Sequence, residues 1–167
     1  MYAASCHTYL IALGSNRRHV RHGAPAKVLA AALERLAAEG LRVEARSPVV
    51  GSAPIGPSLR RYANGAAMVT STLDPPALLA LLKRVERAFG RRRGQRWGTR
   101  VLDLDIVMWS KGRWSSRDLT IPHREFRKRR FVLDPAAAIA PSWRDPASGL
   151  TLRQLRARLT RLERLPR

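Results

Sequence analysis

Arg96-Trp97-Gly98-Thr99-Arg100-Val101-Leu102-Asp103-Leu104-Asp105-Ile106 sets two carboxylates two residues apart in an apolar run, with arginines and a tryptophan directly upstream. In an extended strand, side chains two apart share a face. Asp103 and Asp105 therefore point to one spot, while Leu102, Leu104 and Ile106 point to a core. Paired carboxylates repel unless something positive lies between them. A divalent cation such as Mg²⁺ meets that need, since it takes one or two carboxylates plus substrate phosphates. Arg91, Arg92, Arg93, Arg96 and Arg100 offer planar donor forks for the same phosphates. The segment reads as a metal–phosphate site on a strand, residues 101–109, that closes a larger sheet.

Working backwards from that strand gives the rest of the core. Residues 9–13 form a short apolar strand that ends at Gly14-Ser15-Asn16. Pro25 suits a first helical turn, and Val28, Leu29, Ala32, Leu33 and Leu36 recur at helical spacing until Gly40. Residues 41–47 alternate Leu41, Val43 and Ala45 with Arg42, Glu44 and Arg46, as a half-buried strand does. Residues 52–61, with Pro54, Gly56 and Pro57, read as a loop, and residues 62–72 as a strand. Asp74 caps a helix that opens on Pro75-Pro76 and carries the stripe Leu78, Leu79, Leu82, Val85 and Phe89 to Gly90. The order β-α-β-β-α-β predicts an α+β fold, a ferredoxin-like core with two helices on one face of an antiparallel sheet. A turn or hairpin at 111–117, a basic helical turn after His123 and an amphipathic helix at 150–165 add C-terminal helices to it.

The chain has 167 residues, enough for a single domain with a sizeable core. No apolar run approaches the roughly 20 residues of a membrane span, and no secretory leader is evident, so the expectation is a cytoplasmic protein. The single cysteine, Cys6, fits a reducing compartment. The formal charge of +20 admits a polyanionic partner. Yet only four of the 32 basic residues are lysine, an arginine bias that a GC-rich genome produces without any binding role. The clustered aromatics of an RNA-recognition strand are missing as well, with aromatic residues at 6%. The expected partners are therefore small molecules and not nucleic acid or membrane, and the expected state is a monomer. Walker A and Rossmann glycine patterns are absent, so metal and side chains must hold any phosphate. Tyr62 and Asn64 share a strand face, and an amide can read the edge of a flat heterocycle. Trp97 in a polar loop suits a lid, His123 after Pro122 a hydrogen-bond donor to phosphate, and Arg129 an inward position beside Phe131.

Ala12-Leu13-Gly14-Ser15-Asn16, Ala53-Pro54-Ile55-Gly56, Tyr62-Ala63-Asn64, the Arg96–Ile106 segment, and Ile121-Pro122-His123 through Arg129 and Phe131 occur in this order. Together they resemble the 6-hydroxymethyl-7,8-dihydropterin pyrophosphokinases over residues 8–140. The resemblance implies ATP as co-substrate and transfer of its β,γ-pyrophosphoryl group to the pterin hydroxymethyl oxygen. It implies two Mg²⁺ on Asp103 and Asp105, and catalytic roles for Arg93, Arg96, Trp97 and Arg100. Ala53, Pro54, Ile55, Tyr62, Asn64 and Phe131 correspond to the pterin slot. Glu86, Arg96, Arg100, Ile106, Thr120, His123 and Arg129 correspond to the ATP side.

Overall fold

The computed structural model describes residues 5–53, 61–90 and 101–164. Its framework is β1 (His7–Ser15), α1 (Pro25–Ala38), β2 (Arg42–Arg46), β3 (Val50–Ser52), β4 (Tyr62–Ser71), α2 (Pro75–Ala88) and β5 (Asp103–Trp109). The strands form one antiparallel sheet in the order β2-β4-β1-β5, with β3 also pairing β4. This is the α+β, ferredoxin-like arrangement expected from the element order. Two boundaries differ from the sequence reading. β3 is a short strand where proline and glycine downstream suggest only loop, and the last core strand begins at Asp103, not at residue 101.

Local chemistry sets the helix ends. The Asp74 carboxylate accepts the Ala77 N–H at 2.9 Å, capping α2. Gly40 follows α1 with φ +97° and Gly90 follows α2 with φ +100°, a left-handed conformation that costs glycine little. The Gly40 N–H then donates to Ala37 O at 3.0 Å and the Leu41 N–H to Leu36 O at 3.1 Å, closing the helix end.

Alternation along β1 divides the molecule into two cores. Tyr9, Ile11 and Leu13 pack with Val28, Leu36, Leu78, Leu82 and Leu104 beneath α1 and α2. Leu10 packs on the opposite face with Met108, Phe126, Leu133 and Leu152. Each fully buried side chain of this size contributes about 1.5–3 kcal/mol from burial alone.

The second face is covered by a C-terminal unit. After β6 (Trp114–Ser115) pairs β7 (Thr120–Ile121), a 3-10 turn (Phe126–Lys128) leads into α3 (Arg130–Ile139) and α4 (Leu152–Arg164). Thr151 and Gln154 cap α4 reciprocally: Thr151 N–H donates to Gln154 Oε1 at 2.9 Å, and Gln154 N–H to Thr151 Oγ1 at 3.2 Å. The buried Asp145 carboxylate ties the unit together. It accepts two bonds from Arg127, at 2.7 and 2.6 Å, one from Ser148 Oγ at 2.6 Å, and the N–H groups of Ala147 and Ser148. Burial pushes this carboxyl up, but the Arg127 guanidinium, Ser148 and the Ala147 N–H outweigh it and bring its pKa to about 2.

Candidate active site

Three strands meet at the uncovered end of the second face. Gly14 of β1 lies between Asn64 of β4 and Asp103 of β5, and Ala12 lies between Ala66 and Asp105. The central strand thus carries only a hydrogen and a methyl between the β5 carboxylates on one side and Asn64 and Ala66 of β4 on the other. Larger residues at 12 and 14 would fill this space; a Cβ built on Gly14 would sit 3.5 Å from Asn64 Oδ1 and 3.9 Å from the Tyr62 ring. The result is a cleft of about 140 Å³. Tyr62, Asn64, Asp103, Asp105, His123, Arg129 and Phe131 line it, all of them nominated by the sequence.

Opposed charge converges in this cleft. Burial pushes the Asp105 carboxyl above its ordinary range, and the Asp103 carboxylate adds to that; Lys83, His123 and Arg129 pull the other way. Burial also holds the His123 imidazole below its usual value, against Asp105 pulling up, with Arg129 pushing down. Its Nδ1 accepts the Glu125 N–H at 3.2 Å, an arrangement that assigns the proton to Nε2 and makes His123 a neutral donor. The register of β1 against β5 shifts between Leu10 and Ile11, leaving Val107 as an extra residue. The Val107 carbonyl accepts the His123 N–H at 3.0 Å, so the bulge anchors the histidine beside Asp105. The Arg129 guanidinium lies over the Phe131 ring, 5.8 Å from its centre. The Asn64 amide donates to Ser52 Oγ at 2.8 Å, which fixes its rotation above Gly14.

Several nominated residues lie elsewhere. The Ile106 side chain is buried in the helix-side core, on the face of β5 opposite the cleft. Strand alternation already requires that position, since Asp105 faces the cleft. Glu86 is also withdrawn: its side chain is 0% exposed and it reaches the backbone of β5 from α2. Its Oε1 accepts the Leu104 N–H at 2.8 Å and the Lys83 ammonium at 2.9 Å, and Lys83 also reaches Leu104 O at 3.4 Å. β5 is the edge of the sheet. α2 thus supplies bonds that a neighbouring strand would give Leu104, the residue between the two carboxylates. Thr120 sits in β7, accepting from Arg124 at 3.4 Å, and Ala53 is exposed at the end of β3; neither lines the cleft. Pro54, Ile55, Arg93, Arg96, Trp97 and Arg100 lie outside the described residues.

Ala12, Gly14, Ser52, Val107 and Val132 also line the cleft, and the sequence reading passed over them as cleft residues. The alternation of β1 points Ala12 and Gly14 to the same face, and their small size was the available signal. Ser52 depends on the pairing of β3 with β4, which has no local signature. Among the described residues no cluster of three or more histidine, cysteine, aspartate or glutamate side chains could hold a metal by itself. A cation here needs ligand atoms from its substrate, as Mg²⁺–nucleotide sites do.

Two carboxylates, a neutral imidazole donor and a guanidinium facing an amide and an aromatic ring fit a class: a ferredoxin-like transferase that brings a phosphate donor to a flat heterocycle. Comparison with known proteins agrees. The family model described as 7,8-dihydro-6-hydroxymethylpterin-pyrophosphokinase (HPPK) matches residues 10–141, and the chain belongs to this family. It is 38% identical over 154 residues to the 2-amino-4-hydroxy-6-hydroxymethyldihydropteridine pyrophosphokinase of Synechocystis sp., covering 92% of this chain and 77% of that one. It is also 38% identical over 130 residues to the mitochondrial folate synthesis bifunctional protein of Arabidopsis thaliana, covering 77% of this chain and 23% of that protein. The solved HPPK-DHPS of Plasmodium falciparum with pteroate matches with a TM-score of 0.72 at 12% identity. That match covers 95% of this chain and 43% of the other, and it carries the fold alone.

Proposed function

We propose that this chain is an ATP-dependent pyrophosphokinase of folate biosynthesis. It moves the β,γ-pyrophosphoryl group of ATP to the hydroxymethyl oxygen of 6-hydroxymethyl-7,8-dihydropterin and releases AMP. The observation that carries this reading is the convergence of Asp103 and Asp105 with Asn64 and Phe131 in one cleft. Reactions of this kind rest on positioning and charge neutralisation, not on a covalent intermediate.

The side chains divide the work. Asn64, its amide fixed by Ser52, reads the donor and acceptor edge of the pterin, and Phe131 stacks on its face. His123 donates from Nε2 to a phosphate oxygen, and Arg129 neutralises the same group. Asp103 and Asp105 fit Mg²⁺, because burial and the neighbouring Asp103 charge both raise the Asp105 carboxyl and a cation between the two would offset that cost. When bound there, two Mg²⁺ would offset the triphosphate charge and polarise the attacking hydroxyl. Glu86 and Lys83 hold the strand between the carboxylates. Arg93, Arg96, Trp97 and Arg100 complete the triphosphate contacts on the strength of the motif. Among the described residues no helix is long and apolar enough to cross a membrane. We take the enzyme to work as a single cytoplasmic domain and as a monomer.

AMP formation from ATP tests the reaction directly. Release is expected only when both Mg²⁺ and the pterin alcohol are present. A folded preparation that makes no AMP, or makes it at the same rate without pterin, refutes the assignment.

A further inference from the structure

α4 presents Arg153, Arg156, Arg161 and Arg164 along one side, and Arg130 of α3 faces them across a groove of about 640 Å³. None of the groove's arginines lines the cleft, so binding of substrate there does not account for this face. Acids neutralise part of it: Arg130 pairs with Asp134 and Glu163, and Arg156 with Asp134. Arg153, Arg161 and Arg164 are exposed and have no acidic partner among the described residues. Their positions fall at helical spacings that return to the same face, and at 1.5 Å per residue the row runs for about 16 Å. That is longer than the phosphate run of a single nucleotide, and it suits consecutive phosphates of a strand.

We infer that this arginine groove between α3 and α4 binds the phosphodiester backbone of nucleic acid without reading base sequence. Arginine forks suit phosphate oxygens. Ala157 and Thr160 complete the lining, so no aromatic ring is available there to stack a base. The missing RNA-recognition aromatics therefore exclude base stacking and leave a backbone contact open. An anionic membrane fits less well. Leu152 and Leu155 of α4 are buried and Leu159 packs against the core, which leaves only Leu162 as an exposed large apolar side chain on this helix.

Three unpaired guanidiniums predict a log–log salt slope of about −2.7, hence a fall in affinity of about 40-fold between 50 and 200 mM salt. The test is fluorescence anisotropy of the whole protein with a labelled mixed-sequence RNA duplex, at saturating ATP so that the cleft is occupied. Wild type is expected to bind with that slope. Arg153→Ala/Arg161→Ala/Arg164→Ala is expected to weaken binding at least about tenfold and flatten the slope, with AMP formation unchanged. Arg46→Ala/Arg87→Ala/Arg117→Ala removes equal charge elsewhere and is expected to cost under about threefold. Equal losses in both triple variants mean diffuse attraction and overturn the proposal. Failure of wild type to bind, displacement by ATP, or preference for anionic vesicles over duplex overturns it as well.

Discussion

Asp145→Asn measures the bond that fixes the second face of the sheet. The carboxylate is 0% exposed and accepts both Arg127 contacts, at 2.7 and 2.6 Å. Its pKa falls from 3.8 to about 2, equivalent to about 2 kcal/mol of stability at neutral pH. The amide keeps the shape but loses the charge and one acceptor, and leaves a guanidinium that is only 31% exposed without a counter-ion. The expected loss is about 3 kcal/mol, or about 10 °C in thermal midpoint for a chain of this size. The pH dependence has a definite sign. A depressed acid stabilises the fold above its unfolded pKa, and that stability fades as pH falls through the folded value. The gap between wild type and variant should therefore be level from pH 7 to about 5 and close towards pH 2. Urea unfolding across that range gives the gap directly. A gap under about 0.5 kcal/mol, or one that stays constant to pH 2, refutes the account.

Two further substitutions separate fold from function. Gly14→Ala places a methyl in ordinary contact with Asn64 and Tyr62, so stability should change by less than about 1 kcal/mol while pterin affinity, read by calorimetry, drops at least about tenfold; unchanged affinity would place the pterin elsewhere. Asp105→Asn removes a group whose raised pKa makes its ionised form a cost to the fold, a cost that shrinks as pH falls through that pKa. Without metal the variant should therefore melt higher than wild type at pH 7; with Mg²⁺, ATP and the pterin alcohol all present it should form no AMP, and normal turnover there would refute the metal assignment.

Much of this was legible because it is local. Asp74 before Pro75-Pro76 and the glycines after two apolar stripes announce helix ends through backbone chemistry alone. The spacing of Asp103 and Asp105 announces a shared face for the same reason. What escaped depends on contacts distant in the chain. Asp145 looks like an ordinary loop acid until Arg127 meets it. Ser52 gains its role from a strand pairing, and Lys83 from the bare edge of β5. Glu86 was nominated for the nucleotide, yet it braces the strand that carries the carboxylates. Alternation alone already gives the direction of the Ile106 side chain, because a residue next to Asp105 in a flat strand must face the other way.

The division of β1 into two faces has a consequence for how substitutions should read out. Tyr9, Ile11 and Leu13 hold the helices, and Ala12 and Gly14 form the cleft floor. Over residues 11–14, damage at odd positions should lower the amount of folded protein, and bulk at even positions should leave a folded protein that cannot turn over. Stability and catalysis then alternate from one residue to the next. Abundance and activity, scored separately along this strand, should be offset by one position.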